Sequence, residues 1–203
     1  MLDRFARRLI DPPLNRIGAA IARLGVSANA VTLTGLAIGL LAVPALAAQR
    51  YDLALVCVLA NRLLDGLDGA VARARGVSDF GGYLDIVGDM VFYGAVVFGF
   101  ALAQPENAAI AALLLFAFMG TSASFLAWAI LAAKRGLETE MQGRKSFYYS
   151  AGLIEGTETV AFLAAFCLFP ASFVVLASIC AALCALTVMG RIALAARDFS
   201  DRL

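Results

Sequence analysis

Asp65-Gly66-Leu67-Asp68-Gly69-Ala70-Val71-Ala72-Arg73, followed seven residues later by Gly81-Gly82-Tyr83-Leu84-Asp85-Ile86-Val87-Gly88-Asp89, is the stretch that decides how this chain folds. It holds four acidic side chains within a sequence that is otherwise strongly apolar. A carboxylate inside or at the edge of a bilayer is costly, and such groups face a cavity, a partner or an ion. Asp65 and Asp68 are three residues apart and Asp85 and Asp89 four apart, so each pair shares one helix face. Two such helices, antiparallel and joined by a turn near Gly76, can aim all four groups at one small volume.

The surroundings of that stretch set the fold class. The chain has 203 residues, of which 62% are hydrophobic and 15% charged, with a mean hydropathy of +0.87. Soluble domains average about 45–50% apolar and about 25% charged residues. The excess lies in long apolar runs, which predicts an all-α integral membrane protein. About 20 apolar residues are needed to cross a bilayer. Six candidate spans fall near 29–48, 52–75, 80–103, 107–133, 149–169 and 171–195. Gln49-Arg50, Gly76, Gln104-Pro105 and Phe169-Pro170 punctuate them. One membrane domain is expected over 1–203, with a leader over 1–26 and a six-helix bundle over 27–203.

Basic residues mark the cytoplasmic side of a membrane protein. Arg4, Arg7, Arg8, Arg16 and Arg23 precede the first span, and Arg73 and Arg75 close the second. Lys134, Arg135, Arg144 and Lys145 follow the fourth, and Arg197 and Arg202 end the chain. The opposite turns hold only Arg50. Both termini and the acidic stretch are therefore expected to be cytoplasmic. The first ten residues lack the apolar run and small-residue cleavage site of a removable signal. The leader is read as broken at Asp11-Pro12-Pro13. Its second half places Leu14, Ile17, Ile21 and Leu24 on one stripe, as in a helix lying in the headgroup plane.

Several chemistries are excluded. There is no histidine, hence no Ser-His-Asp triad, imidazole base or histidine-bound zinc. A net charge of +1, with no basic stretch interleaved with aromatics, gives no footprint for nucleic acid. Cys57, Cys167, Cys180 and Cys184 lie in apolar segments and are read as small packing residues. The acidic set is different. Oxygen-only ligands favour Mg²⁺, Mn²⁺ or Ca²⁺, and carboxylates on two sides suit two ions about 4 Å apart, the geometry of displacement at phosphorus. Gly66, Gly69 and Ala72 are expected to leave room on the second span, with Gly81 and Gly82 doing the same on the third. Arg73 offers donors for a phosphate.

These residues resemble the CDP-alcohol phosphotransferase family, whose pattern is D-x2-D-G-x2-A-R-x8-G-x3-D-x3-D. Asp65, Asp68, Gly69, Ala72, Arg73, Gly81, Asp85 and Asp89 match it. The spacer between Arg73 and Gly81 is seven residues instead of eight, a deletion placed in the turn between helices. The approach Ser27-Ala28-Asn29 is similar to the family's Ser-x-Asn entry to the first span. The resemblance implies transfer of the phospho-alcohol part of a CDP-alcohol, such as CDP-diacylglycerol, to an acceptor hydroxyl with release of CMP. It implies a pair of Mg²⁺ or Mn²⁺ ions on Asp65, Asp68, Asp85 and Asp89, with Asp89 also the base. It implies a nucleotide site at Asp68, Gly69, Ala72 and Arg73, a homodimer, and a place in a bacterial inner membrane.

The acceptor is read from later residues. Arg144, Lys145 and Arg191 form a basic trio suited to a phosphorylated alcohol, with glycerol 3-phosphate the first expectation. Glu155 and Glu158, expected to face the bundle from the fifth span, suit hydroxyls instead. Inositol phosphate, inositol and serine are the other acceptors considered. A cation-coupled transporter using the same aspartates is the reading from another functional class, and an inactive scaffold the third.

Overall fold

The computed structural model describes residues 3–135 and 153–199, and every regular element among them is helical. In chain order they are α1 (Asp3–Arg23), α2 (Ala28–Leu40), α3 (Ala42–Ala47), α4 (Tyr51–Arg75), α5 (Asp79–Ala103), α6 (Ala108–Lys134), α7 (Gly156–Leu168) and α8 (Phe173–Phe199). Four helical segments are long and apolar enough to cross a membrane: Ala28–Ala47, Asp79–Ala103, Pro105–Lys134 and Pro170–Phe199. The chain is thus an integral membrane protein. Helix α4 equals α5 in length at 25 residues, but the charges it brings to the acidic stretch lower its hydropathy. Residues 149–152 of the fifth expected span lie outside the described residues, and the helical part of the rest is α7, of 13 residues.

Two expected boundaries differ. The first span is not one helix, because α2 stops at Leu40 and α3 restarts at Ala42. Pro44 has no N–H to give the carbonyl of Leu40 and its ring crowds that carbonyl, whereas within the first turn of a new helix the missing N–H costs nothing. The leader is continuous where a break was expected, with Pro12 and Pro13 inside α1. Packing outweighs propensity there. Leu14 is buried with Leu67, Ala70 and Val71 of α4, and Gly18 lies so close to α4 that a Cβ would sit 2.5 Å from the Ala70 Cβ. The stripe is correspondingly turned: Leu14 faces α4, while Ile17 and Leu24 are exposed.

Ser27 caps α2 by accepting from the Ala30 N–H at 3.2 Å. Ser78 caps α5 by accepting from Gly81. Between α4 and α5, Gly76 adopts φ +112°, a conformation side-chain-bearing residues avoid. The short turn makes α4 and α5 antiparallel neighbours. Helix α2 packs across both, α1 lies on α4, and α8 pairs with α6. Small residues allow the close approaches, as is usual between membrane helices. At Gly39 a Cβ would meet Phe92 at 2.6 Å, and at Gly99 it would meet Leu46 at 2.6 Å. The main core joins α3, α4, α5, α6, α7 and α8. Its centre is Phe100, stacked on Phe173 at 4.5 Å between ring centroids and edge-on to Phe166 at 5.9 Å. All four cysteines are free and buried in this core. This packed block leaves the acidic stretch at one end of α4 and α5.

Candidate metal and nucleotide site

Helices α4 and α5 bring Asp65, Asp68 and Asp85 together, with a carboxylate oxygen of each within 4.8 Å of the others. They come from two helices and differ in exposure. Asp68 is buried, Asp65 half-buried and Asp85 exposed, so the cluster opens in one direction. Asp89, one turn beyond Asp85, lines the same cleft together with Gly35 and Gly88.

The buried member is held from α2. Thr32 Oγ1 donates to Asp68 Oδ2 at 2.5 Å while lying over the carbonyl of Ala28. Asp89 is held differently. Arg62 Nη2 contacts its Oδ1 at 2.7 Å, and the Tyr93 hydroxyl donates to its Oδ2 at 3.2 Å. Arg62 Nη1 also approaches Asp65 Oδ2 at 3.5 Å. Asp89 thus shares the cleft with the three-carboxylate set but is tied to a guanidinium that, of those three, contacts only Asp65.

The donor set fits a hard divalent cation. It offers carboxylate oxygens from two helices, the ligands Mg²⁺, Mn²⁺ and Ca²⁺ take, without sulfur or imidazole. Three carboxylates this close repel one another unless a cation lies among them, and Arg62 reaches only one of the three.

The residues expected to take the nucleotide, Gly69, Ala72 and Arg73, lie one to two turns beyond Asp65 along α4. Arg73 folds back over Gly69, where a Cβ would meet its Nη1 at 3.3 Å. Asn15 of α1 accepts from Arg73 Nε at 3.1 Å and Nη2 at 2.8 Å. Ala72 lies beside them, half-buried. The spaces expected to be free for a ligand at two glycines are filled by the protein. At Gly66 a Cβ would meet Leu14 of α1 at 2.9 Å, and Gly69 accommodates Arg73. Gly81 sits under Asn29 and Ser78, whereas Gly82 faces open space.

The acceptor residues are scattered. Arg144 and Lys145 lie outside the described residues. Arg191 reaches across to α6, donating to the Thr121 carbonyl at 2.8 Å and to Ser124 Oγ at 3.4 Å, with its guanidinium 5.7 Å from the Phe125 ring. Glu155 and Glu158 start α7 instead of lining its face. Glu155 is the N-cap and Glu158 reaches back to the Glu155 N–H, forming a reciprocal capping pair. Glu155 still acts electrostatically on Arg191.

Sequence reasoning missed Arg62, Asn61, Tyr93, Thr32 and Asn15. A signal existed for Arg62, since an arginine in mid-span needs a partner and Asp65 is three residues on. The role of Asn15 rests on the α1–α4 crossing, which no local pattern announces.

The profile of the CDP-alcohol phosphatidyltransferase family matches residues 25–192. The chain is 50% identical over 193 residues to the inner membrane protein YnjF of Escherichia coli K12, covering 95% of this chain and 94% of that one. It is 42% identical over 103 residues to the archaetidylinositol phosphate synthase of Pyrococcus horikoshii, covering 50% of this chain and 54% of the other. The fold is similar to that of a Mycobacterium tuberculosis phosphatidylinositol phosphate synthase solved with CDP-DAG bound. The TM-score is 0.70 at 21% identity, covering 94% and 98% of the two chains.

Proposed function

Because the chain belongs to the CDP-alcohol phosphatidyltransferase family, and so is a membrane phosphotransferase, we propose that it moves the phosphatidyl group of CDP-diacylglycerol to a small phosphorylated alcohol. The observation that carries this is the meeting of Asp65, Asp68 and Asp85 within 4.8 Å, at the family's motif positions. Membership in a phosphotransferase family leaves the transporter reading without support.

In this reading Asp65, Asp68 and Asp85 hold Mg²⁺ or Mn²⁺, and Asp89 completes a second position. When bound, the ions neutralise charge on the pyrophosphate and on departing CMP. Asp89 takes the proton of the acceptor hydroxyl as its oxygen bonds to the β-phosphorus of CDP-diacylglycerol, and the bond from that phosphorus to the CMP oxygen breaks. Tyr93 aims the Asp89 carboxylate from one oxygen, and Arg62 holds the other until the ions are in place. Asp68, held by Thr32, lies toward Gly69, Ala72 and Arg73, where Asn15 keeps the Arg73 guanidinium turned to the nucleotide. The six-span arrangement counts α2 with α3, α4, α5, α6, α7 and α8 as crossings. With lysine and arginine concentrated on one side, it puts both termini and the site at the cytoplasmic face of a bacterial inner membrane, in a homodimer.

The acceptor is a phosphorylated polyol. Arg191 supplies a cation on α8, and two of the relatives are named for inositol phosphate products. Inositol phosphate and glycerol 3-phosphate are therefore the two acceptors to weigh. The test is CMP release by the purified protein from CDP-diacylglycerol, with Mg²⁺ or EDTA, against a panel of inositol phosphate, glycerol 3-phosphate, inositol and serine. Release only with Mg²⁺ and one phosphorylated polyol, reduced about 10²–10⁴-fold in Asp89→Asn as for loss of a general base, is expected. Release indifferent to EDTA, or with unphosphorylated acceptors alone, would overturn the proposal.

A further inference from the structure

Arg62 is a half-buried cation that the motif does not contain, and it makes more contacts than ion pairing alone requires. Its Nε donates to Asn61 Oδ1 at 2.8 Å, and Nη2 contacts both Asn61 Oδ1 and Asp89 Oδ1. Nη1 faces the Tyr93 hydroxyl at 3.2 Å and Asp65 Oδ2 at 3.5 Å. Three of these contacts are hydrogen bonds, two to Asn61 Oδ1 and one to the Tyr93 hydroxyl, and the two carboxylates add ion pairs. The plane also lies over Phe92 at 4.7 Å and Tyr93 at 5.2 Å. Asn61 is itself fixed, giving its Nδ2 hydrogen to the Gly35 carbonyl at 2.8 Å. The cation is thus anchored from α2, α4 and α5, and its two Nη atoms link one carboxylate of each acidic pair.

A second divalent ion at Asp89 would have to take the carboxylate oxygen that Arg62 holds. We propose that Arg62 is a positioning residue that divides the cluster. It reserves Asp89, so that the first divalent ion enters at Asp65, Asp68 and Asp85, and a second ion binds only as Asp89 leaves the guanidinium. This rests on the metal-dependent reading of the site. Only the fork geometry allows it, because a lysine ammonium could not span Asp65, Asp89, Tyr93 and Asn61 together.

The experiment is Mn²⁺ binding to the purified full chain, followed by the electron paramagnetic resonance signal of free Mn²⁺, without nucleotide or acceptor. Wild-type protein should take up one ion, with a second at least about tenfold weaker. Arg62→Gln removes the competing charge, and its second ion should bind about tenfold or more tighter than in wild type. Asp89→Asn provides an independent measurement should Arg62→Gln not fold. It should leave the first ion within about threefold of wild type, whereas Asp85→Asn should weaken that ion by about tenfold or more. An unchanged second ion in Arg62→Gln, or a first ion lost as fully in Asp89→Asn as in Asp85→Asn, overturns the division while leaving the metal site standing. No Mn²⁺ uptake by wild-type protein overturns both.

Discussion

Gly18 lies where α1 crosses α4, and replacing it with alanine tests whether that crossing positions Arg73. The added Cβ would lie 2.5 Å from the Ala70 Cβ, 2.9 Å from the Ala70 carbonyl carbon and 3.0 Å from the Val71 nitrogen. Two of these three atoms are backbone, so no side-chain rotation relieves the clash. Carbon atoms sit comfortably at about 3.5–4.0 Å, and α1 must therefore move away by about 1–1.5 Å. Overpacking of this kind costs about 1–3 kcal/mol. Asn15 is three residues before Gly18 on the same helix face and moves with it. Its contacts to Arg73, at 2.8 and 3.1 Å, then stretch beyond hydrogen-bonding distance. Because this pair is exposed, its loss is worth about 0.5–1.5 kcal/mol, a rise of about 2- to 10-fold in KM for CDP-diacylglycerol. Gly18→Ala should therefore melt earlier than wild type and show the raised KM. Asn15→Ala should show the raised KM with little change in melting. Gly190→Ala, at a position where a Cβ meets nothing within 4 Å, is the neutral control. If Gly18→Ala keeps both its melting temperature and its KM, α1 is not what holds Arg73.

Other perturbations separate chemistry from packing. Two ionised carboxylates with oxygens within 4.8 Å of one another repel by about 3.5 kcal/mol or more at an effective dielectric near 20, and by less where solvent screens the exposed Asp85. Asp85→Asn should accordingly lose CMP release yet melt no earlier than wild type in EDTA, which differential scanning fluorimetry reads; earlier melting would mean the group is structural. Thr32→Val removes the hydrogen bond to Asp68 and leaves a buried carboxylate short of a donor, a loss of about 1–3 kcal/mol, seen as weaker Mn²⁺ binding with the nucleotide KM less affected. Phe100→Ala empties the centre of the three-ring stack and should cost about 3–5 kcal/mol, with destabilised but still metal-dependent protein if stack and site are separate. Glu158→Ala breaks the capping pair of α7 and should cost about 0.5–2 kcal/mol; a change in acceptor preference without loss of stability would instead place Glu158 at the acceptor.

The acidic residues were legible because their grouping is local. Positions 65 and 68, and 85 and 89, share a face through helix periodicity alone, and a positive-φ glycine at 76 makes two apolar helices antiparallel neighbours. What joins the pairs to the rest of the bundle was not local. Thr32 lies 36 residues before Asp68, Asn15 lies 58 before Arg73, and Arg62 lies 27 before Asp89. Glycine was the least legible residue type. In a membrane bundle it signals close approach without naming what approaches. Gly66 admits Leu14 of α1 and Gly69 admits Arg73, where a ligand was expected at both.

Arg62 shows why such a site needs more than its acidic motif. The orientation expected from basic residues leans on ones such as Arg73 and Arg75, which sit at a helix end within reach of water. Arg62 sits thirteen residues before Arg75 on the same helix, about 20 Å along its axis at about 1.5 Å per residue. Its side chain is 14% exposed. A cation so far from the helix end and so little exposed has to be neutralised from within the protein. Asp89 on α5 does so, with Asp65 on α4 adding a longer contact. The acidic cluster therefore does not enter the bundle as four bare charges awaiting ions. One of the four comes with its own cation, and its competition with divalent ions is a property the spacing of aspartates alone could not disclose.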